Sequence, residues 1–185
     1  DFMILGDATN MGLFGQHLWS DGGRMVVVTE GEVDAMSVSQ TQQLKWPVVS
    51  VPNGAQGAAK AVAKNIDYLE KFESVVFMFD QDDPGRAAAK ECAALLSPGK
   101  AKTAALPLKD ANEMLVEDRS AELVKAMWDA KEYRPDGIVG GSDLWEYITE
   151  LETDEAVPYP FDGMTNMTHG LRKGELVTIT AGSGI

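Results

Sequence analysis

Carboxylates follow the two most apolar segments of this 185-residue sequence. Glu30 comes directly after the β-branched run at residues 25–29, and Asp80 and Asp82 follow the apolar run at 74–79. If both runs are neighbouring parallel strands, their carboxyl ends share one edge of a sheet and the acids converge there. Converging carboxylates repel one another unless a cation joins them, and hard ions such as Mg²⁺ prefer oxygen ligands. The spacing therefore predicts a metal site at this edge, suited to a nucleoside triphosphate.

Other acidic residues in the same loops have simpler explanations. Glu32 and Asp83 are expected to be solvated or to cap helices, as most loop carboxylates do. Asp83 is followed by Pro84, whose missing N–H has no consequence at the first position of a helix. A single Asp-x-Asp pattern would be weak evidence for a metal site, but a glutamate ending a second buried strand strengthens the prediction.

Strand and helix patterns alternate between residues 25 and 131. Strands separated by helices usually pair in parallel, so we expect an α/β fold with a mostly parallel four-stranded sheet and helices on both faces. Apolar, β-branched runs predict strands at residues 25–29, 48–51, 74–79 and 101–106. Helical spacing predicts helices at residues 32–43, 56–70, 84 to near 98, 110–116 and 120–131.

The composition is that of a folded, acidic globular protein. Hydrophobic residues make up 44% and charged residues 24% of the chain, and no apolar run is long enough for a bilayer. No secretory leader pattern opens the chain, which predicts a cytoplasmic protein. Cys92 is the only cysteine, which excludes an intrachain disulfide framework and, with two distant histidines (His17 and His169), a structural zinc site. The net charge of −13 argues against generic coating of nucleic acid, which needs surplus Lys and Arg.

The pattern changes after residue 134, where a second part of the chain is expected to begin. Turn-forming residues at 134–137 precede an amphipathic helix at 142–151 and a proline-containing linker at 153–160. The apolar stripe of this helix is expected either to pack on its own domain or to dock on a neighbouring subunit. A predicted strand at 176–180 runs into a glycine loop, and because a strand needs neighbours, we expect the chain to be an internal fragment of a longer protein.

Three successive motifs give the sequence a resemblance to the Toprim domain. They are Val-Thr-Glu-Gly-Glu-Val-Asp-Ala at 28–35, Phe-Asp-Gln-Asp-Asp-Pro-Gly-Arg at 79–86 and Lys-Asp-Ala-Asn-Glu at 109–113. The first and third forms are similar to those of primases rather than those of topoisomerases or Toprim nucleases. Over its whole length the chain most resembles the bifunctional primase-helicases of short-tailed phages, relatives of bacterial DnaG primase and mitochondrial Twinkle.

This resemblance implies a division into four parts. Residues 1–24 resemble the end of an N-terminal primase subdomain, and residues 25–134 resemble a Toprim catalytic domain. Residues 135–160 resemble a linker whose helix docks on the next subunit of a ring. Residues 161–185 resemble the start of a RecA-like α/β helicase domain, cut inside its Walker A loop. That loop would begin with Ala181, Gly182, Ser183 and Gly184, and its phosphate-binding Gly-Lys-Ser/Thr would follow residue 185.

The resemblance also implies roles for the acidic residues. Glu30, Asp80 and Asp82 would be the catalytic carboxylates that bind two Mg²⁺ ions, with Mn²⁺ as an alternative, and Asp110 would join the metal shell. Asp34 would support the site. The ions would activate the primer 3′-hydroxyl and neutralise charge on the incoming triphosphate and departing pyrophosphate.

The implied activity is templated synthesis of short RNA primers from ribonucleoside triphosphates on single-stranded DNA. The parent chain would also unwind duplex DNA by hydrolysing nucleoside triphosphates. Lys109 would contact phosphate or backbone, an ion pair with a nearby acid being the alternative, and Gly31 and Gly54 would keep loops close to the substrate. The Zn²⁺ module and most of the basic subdomain lie upstream in this family, so the cationic DNA track is expected elsewhere and the fragment alone is expected to be inactive.

The expected partners follow from the same resemblance. They are the single-stranded template, the ribonucleotides, further copies in a hexameric or heptameric ring and a replicative DNA polymerase, without a membrane. The expected location is the cytoplasm of an infected bacterium rather than the virion. Two other functions stay open, a Toprim domain that is only a structural and oligomerisation module of a ring helicase, and a metal-dependent Toprim nuclease.

Overall fold

The computed structural model describes residues 11–135, 156–178, 180–182 and 184. The chain divides into two compact units, Asp1–Ile138 and Val139–Ile185. The first unit contains the sheet and all of the candidate carboxylates, and each unit is described by itself.

The first unit is built on a five-stranded sheet in the order β2-β1-β3-β4-β5. The first four strands pair in parallel, as predicted, and β5 pairs antiparallel with β4 at one edge. The fifth strand was not predicted, because two exposed charged residues show no strand pattern. The strands are β1 (Gly23–Thr29), β2 (Val48–Ser50), β3 (Phe72–Met78), β4 (Ala101–Thr103) and β5 (Lys131–Glu132).

Helices cover both faces of this sheet, which confirms the predicted α/β class. One face packs against α2, α3 and α4, and the other packs against α1, α5 and α6. Side chains alternate along β1, so that Val26 and Val28 enter the first core while Val27 enters the second. The helices are α1 (Glu32–Thr41), α2 (Gly54–Lys64), α3 (Ile66–Leu69), α4 (Asp83–Ala93), α5 (Ala111–Val116) and α6 (Ser120–Trp128).

Two details of the helices differ from the sequence prediction. The single helix expected at 56–70 is interrupted at Asn65, whose side-chain amide donates to the carbonyl of Ala61 at 2.9 Å. Such a bond competes with regular helical pairing and ends α2. The helical spacing after residue 84 also predicts that Leu95 points inward with Ala88 and Cys92, and this is wrong because α4 ends at Ala93. Leu95 is 43% exposed, and Leu96 is buried instead.

The second unit contains one described helix, α7 (Asp162–Thr168), and an antiparallel bridge between Val157 and Leu171. The predicted amphipathic helix at 142–151 lies outside the described residues. The strand expected at 176–180 is not formed in the described part of this segment, where Leu176 is 94% exposed. An extended segment is part of a sheet only when a neighbouring strand pairs with it. The described residues of this unit include no strand that pairs with residues 176–178 or 180. Within the described ranges, no helix has the length and apolar character needed to cross a membrane.

Candidate functional site

The ends of β1 and β3 lie side by side, as the sequence predicted. Their parallel register pairs Thr29 with Met78, so Glu30 and Asp80 emerge at the same edge of the sheet. The two acids are close enough for the Asp80 charge to raise the pKa of Glu30, although burial is the larger cause of that shift. The predicted convergence of carboxylates is therefore confirmed for this pair.

Glu30 is held by the start of helix α2. Its Oε1 accepts a hydrogen bond from the Ala55 N–H at 3.0 Å, while its buried Oε2 has no partner within hydrogen-bond distance. Burial raises the pKa of Glu30, and the N–H groups of Ala55 and Asp80 oppose that rise. Gly54 adopts φ = +60°, which glycine accepts without strain, so the helix can start beside the carboxylate. A Cβ there would make only ordinary contact with Oε1, at 3.6 Å. A buried carboxylate oxygen without a donor is a position that a cation can fill.

Asp80 joins the strand edge to the loop before α5. Its Oδ2 forms an ion pair with the Lys109 ammonium at 3.3 Å, and this contact is the main cause of the raised pKa of Lys109. The Gln81 N–H donates to the Lys109 carbonyl at 2.7 Å, which ties the two motif loops together. Of the two roles considered for Lys109, the structure therefore shows the ion pair with an acid.

Asp82 and Asp110 are helix N-caps. Asp82 Oδ1 accepts from the Gly85 N–H at 2.8 Å, and Asp110 Oδ1 accepts from the Glu113 N–H at 2.7 Å. The expectation that Asp83 caps α4 is wrong, because Asp83 is already the first helical residue. Each cap fixes its carboxylate through Oδ1, which leaves Oδ2 available for another ligand.

Gly85 permits the close approach of α4 to the end of β3. A Cβ at this position would lie 2.3 Å from the carbonyl oxygen of Asp80, far inside van der Waals contact. No role was predicted for Gly85 from the sequence. The sequence feature that could have indicated this role is the glycine directly after Asp-Pro in the second motif. Glycine is common where two backbone segments approach closely, because it has no side chain.

Asp34 links α1 to α5 behind the site. Its Oδ1 accepts from the Asn112 N–H at 3.0 Å, and the Ser37 hydroxyl donates to Asn112 Oδ1 at 3.2 Å. Burial raises the pKa of Asp34 to about 6, partly opposed by the Asn112 N–H. Gly31 makes room for this carboxylate, because a Cβ there would lie 2.9 Å from Asp34 Oδ2. No role was predicted for Asn112 or Ser37, because only the packing of α1 on α5 brings them together.

The substitution Asp34→Asn is expected to stabilise the metal-free protein at pH 7. The charged carboxylate is disfavoured in the fold, so the stability of the parent is reduced above pH 6 and recovers as pH falls through 6 towards 4. The variant should be more stable at pH 7 by about 1–2 kcal/mol, with an advantage that disappears near pH 4. Urea unfolding in EDTA at both pH values measures this difference. Glu73→Gln, at an exposed position, should change stability by less than about 0.5 kcal/mol.

The acids do not surround a single point. Among the residues that the structure describes, no three His, Cys, Asp or Glu side chains form a group that could hold a metal ion. Asp80 is instead paired with Lys109, and Asp82 caps α4. The residues nevertheless fit a hard divalent cation, because Glu30 Oε2 has no partner and the whole donor set is carboxylate oxygen.

The predicted Walker A residues belong to the second unit. Ala181 and Gly182 are exposed, and a Cβ on Gly182 or Gly184 would meet nothing within 4 Å. Ser183 lies outside the described residues. Their proposed phosphate-binding role stays a prediction.

Comparisons with known sequences identify relatives of the chain. Residues 27–115 match the family model described as Toprim-like. The whole chain is 42% identical to the DNA helicase/primase of Enterobacteria phage T3, of which it spans 33%. It is also 31% identical, over 66% of its length, to the chloroplastic/mitochondrial Twinkle homolog protein of Arabidopsis thaliana, of which it spans 20%. The chain thus spans a third or less of each of these curated relatives.

Two solved structures from bacteriophage T7 are similar to the chain. One is the lagging-strand DNA polymerase interacting with primase domains of two gp4 subunits bound to an RNA/DNA hybrid and dTTP, with a TM-score of 0.62 and 45% identity. That match covers 65% of this chain and 61% of the other. The second is the primase fragment of the T7 primase-helicase protein, with a TM-score of 0.60 and 46% identity, covering 63% of this chain and 48% of the fragment.

Proposed function

We propose that the chain, whose residues 27–115 match the Toprim-like family model, is the primase part of a primase-helicase that makes short RNA primers on single-stranded DNA. The convergence of Glu30 and Asp80 at the ends of neighbouring parallel strands carries this proposal, with Asp82 following in the same loop. The 42% identity to a phage DNA helicase/primase over the whole chain supports it. Neither a nuclease nor a purely structural role is favoured by these relatives.

Glu30, Asp80 and Asp82 are the proposed metal-binding and catalytic carboxylates, with Asp110 as a further ligand. Glu30 would bind through its unpartnered Oε2, and Asp82 and Asp110 through the oxygens that their caps leave available. Two Mg²⁺ ions, or Mn²⁺ in their place, would supply charge neutralisation for phosphoryl transfer. The hydrogen bonds from Ala55 and Gly85 orient the acids in advance, which reduces the reorganisation that binding requires.

Lys109 is the proposed phosphate contact. Its exposed ammonium, paired with Asp80 at 3.3 Å, can transfer to a phosphate oxygen once a cation takes its place beside the carboxylate. Gly31 and Gly54 would keep the surrounding loops close to the bound nucleotide. Gly54 has the positive φ that such a turn needs.

The rest of the parent protein is proposed by analogy with the relatives. Residues 1–24 would end an upstream primase subdomain, 25–134 would form the Toprim domain, and 135–160 would link it to a helicase domain that begins at 161. Ribonucleotides, the DNA template, a DNA polymerase and other copies in a ring are the proposed partners. The likeness to a T7 structure of polymerase with two gp4 primase subunits supports these partners, and the phage T3 relative supports action in an infected bacterium.

Primer synthesis by the intact protein should depend strictly on a divalent cation. With single-stranded DNA, labelled ribonucleotides and Mg²⁺, we expect short oligoribonucleotides on a denaturing gel. EDTA should abolish them, and added Mg²⁺ should restore them, because the clustered carboxylates bind substrate phosphates only through a cation.

Two results would contradict this function. Primers made at an unchanged rate in EDTA would remove the proposed metal site. Strand unwinding without any primer product, under all metal conditions, would leave the Toprim domain as a structural part of a helicase.

A further inference from the structure

A groove of about 610 Å³ lies between α4 and α6, directly beside the candidate metal site. Its walls are largely apolar and include Phe79, Ala89, Ala104 and Ala126. Asp80 also lines the groove, so a ligand lying in it would reach the carboxylate edge of the sheet. The second motif supplies Phe79, Asp80, Gln81, Gly85 and Arg86 to this surface, and its other lining residues belong to none of the three motifs.

Basic side chains are concentrated around the groove. Although the chain has a net charge of −13, four of its 16 basic residues line this one groove. These basic residues are Arg86, Lys90, Lys125 and Lys131. The acidic residues of the lining are Asp80, Glu122 and Asp129.

Most of the acidic charge in the groove is already neutralised from outside it. Asp80 pairs with Lys109 at 3.3 Å, and Glu122 is bound at 2.6 and 2.8 Å by the guanidinium of Arg119. Neither cation belongs to the groove lining. Asp129 is therefore the one lining acid without an ion pair in the described ranges.

The lysines of the groove are available to a ligand. Lys90, Lys125 and Lys131 are exposed and form no ion pair with any residue that the structure describes. Arg86 is already engaged with Asp83 and with the Gln81 carbonyl. Three unpaired ammonium groups and one unpaired carboxylate leave the groove with a surplus of positive charge. The chain as a whole has the opposite sign, with a net charge of −13.

We propose that this groove binds the sugar-phosphate backbone of single-stranded nucleic acid and leads it to the carboxylate edge. The inference rests on the proposed function and adds a binding surface to it. Ammonium groups on three separate elements, α4, α6 and β5, suit successive phosphates better than one compact anion. It also revises the expectation that the cationic track lies wholly outside this chain. The strand is either template DNA or nascent RNA, which share this chemistry.

The test is binding of labelled oligonucleotides to the 185-residue chain in EDTA. Fluorescence anisotropy with oligothymidylate and oligouridylate of about 12 nucleotides gives the affinity at salt concentrations between about 50 and 200 mM. The triple variant Lys90→Ala, Lys125→Ala, Lys131→Ala should bind about tenfold more weakly at low salt. The slope of log affinity against log salt should fall by about 2, since each phosphate contact on a single strand contributes about 0.7.

A matched triple variant controls for the loss of charge. Lys45→Ala, Lys60→Ala, Lys173→Ala removes three exposed lysines outside the groove and should retain the parent slope and affinity. Preferential loss of oligothymidylate binding would assign the groove to the template, and preferential loss of oligouridylate binding would assign it to the primer. Equal melting temperatures of both variants and the parent show that folding is preserved.

Two outcomes would overturn the inference. They are the absence of measurable oligonucleotide binding by the parent at the lowest salt, and equal salt slopes for the groove variant and its control. Because EDTA removes divalent ions, the assay does not depend on a bound metal. Normal binding by the groove variant would therefore reject this inference while the primer assay still decides the proposed function.

Discussion

The substitution Glu30→Gln in the intact protein is expected to reduce primer synthesis by about a thousandfold. Glu30 provides the one buried carboxylate oxygen at the strand edge without a hydrogen-bond partner in the described residues. Glutamine keeps the shape and the acceptor for the Ala55 N–H but removes the negative charge that attracts a divalent ion. Metal-ion stabilisation of a phosphoryl transition state amounts to several kcal/mol, and each 1.36 kcal/mol is a factor of ten in rate.

The loss should not arise from unfolding. Burial and the charge of Asp80 raise the pKa of Glu30, so the fold disfavours its ionised form and glutamine should leave the melting temperature in EDTA unchanged or slightly higher. Mg²⁺ should raise the melting temperature of the parent and not that of the variant. Primer yield on a denaturing gel and thermal unfolding with and without Mg²⁺ measure both effects.

Glu32→Gln is the matched control for this experiment. Glu32 lies two residues away, at the exposed first position of α1, and its substitution removes the same charge close to Glu30. We expect primer synthesis within about twofold of the parent, since charges on the exposed surface act weakly. Equal activities of Glu30→Gln and the parent would reject Glu30 as a metal ligand.

The substitution Gly85→Ala is expected to lower both stability and primer synthesis. The added Cβ would lie 2.3 Å from the Asp80 carbonyl oxygen and 3.1 Å from the Asp80 Cβ, and neither is the flexible end of a side chain. Helix α4 cannot simply move away, because only Gln81 and the N-cap Asp82 connect Asp80 to its first residue. Overpacking of this kind typically destabilises by about 1–3 kcal/mol. Relief of the clash must also displace one of the candidate carboxylates.

Gly163→Ala provides the contrasting glycine. It lies in helix α7, and an added Cβ meets nothing within 4 Å. Alanine there should be neutral or stabilising by up to about 1 kcal/mol, as expected in an open helical position. Urea unfolding and primer synthesis measure both variants. If Gly85→Ala retains parent stability and activity, the close approach of α4 to Asp80 has no functional importance.

Local patterns in the sequence were sufficient to predict the elements and the order of the acids along the chain. The continuous apolar run before Asp80 predicted a strand buried on both faces, and Val75, Val76 and Phe77 are fully buried in β3. The position of Glu30 and Asp80 at the ends of two such strands predicted their convergence, because parallel neighbours end at one edge. These features depend on neighbours a few residues apart, which the sequence displays directly.

The contacts that orient the acids were decided by tertiary packing. The Ala55 N–H reaches Glu30 from 25 positions away, and the Asn112 N–H reaches Asp34 from 78 positions away. These hydrogen bonds form only when α2 packs against the sheet and α5 packs against α1. A pattern of neighbouring residues cannot predict contacts between residues so far apart in the sequence. The choice of Asp82 over Asp83 as the cap likewise depends on how α4 begins against the end of β3.

The groove between α4 and α6 exists only because tertiary folding brings its lysines together. Lys90 lies in α4, Lys125 in α6 and Lys131 in β5, in segments whose overall composition is not basic. The net charge of −13 indicated no affinity for nucleic acid, because a sum over the chain ignores where each charge lies. Electrostatic recognition depends on the local field within about 10 Å, the range over which salt screens charges, and that field arises only when distant segments fold together.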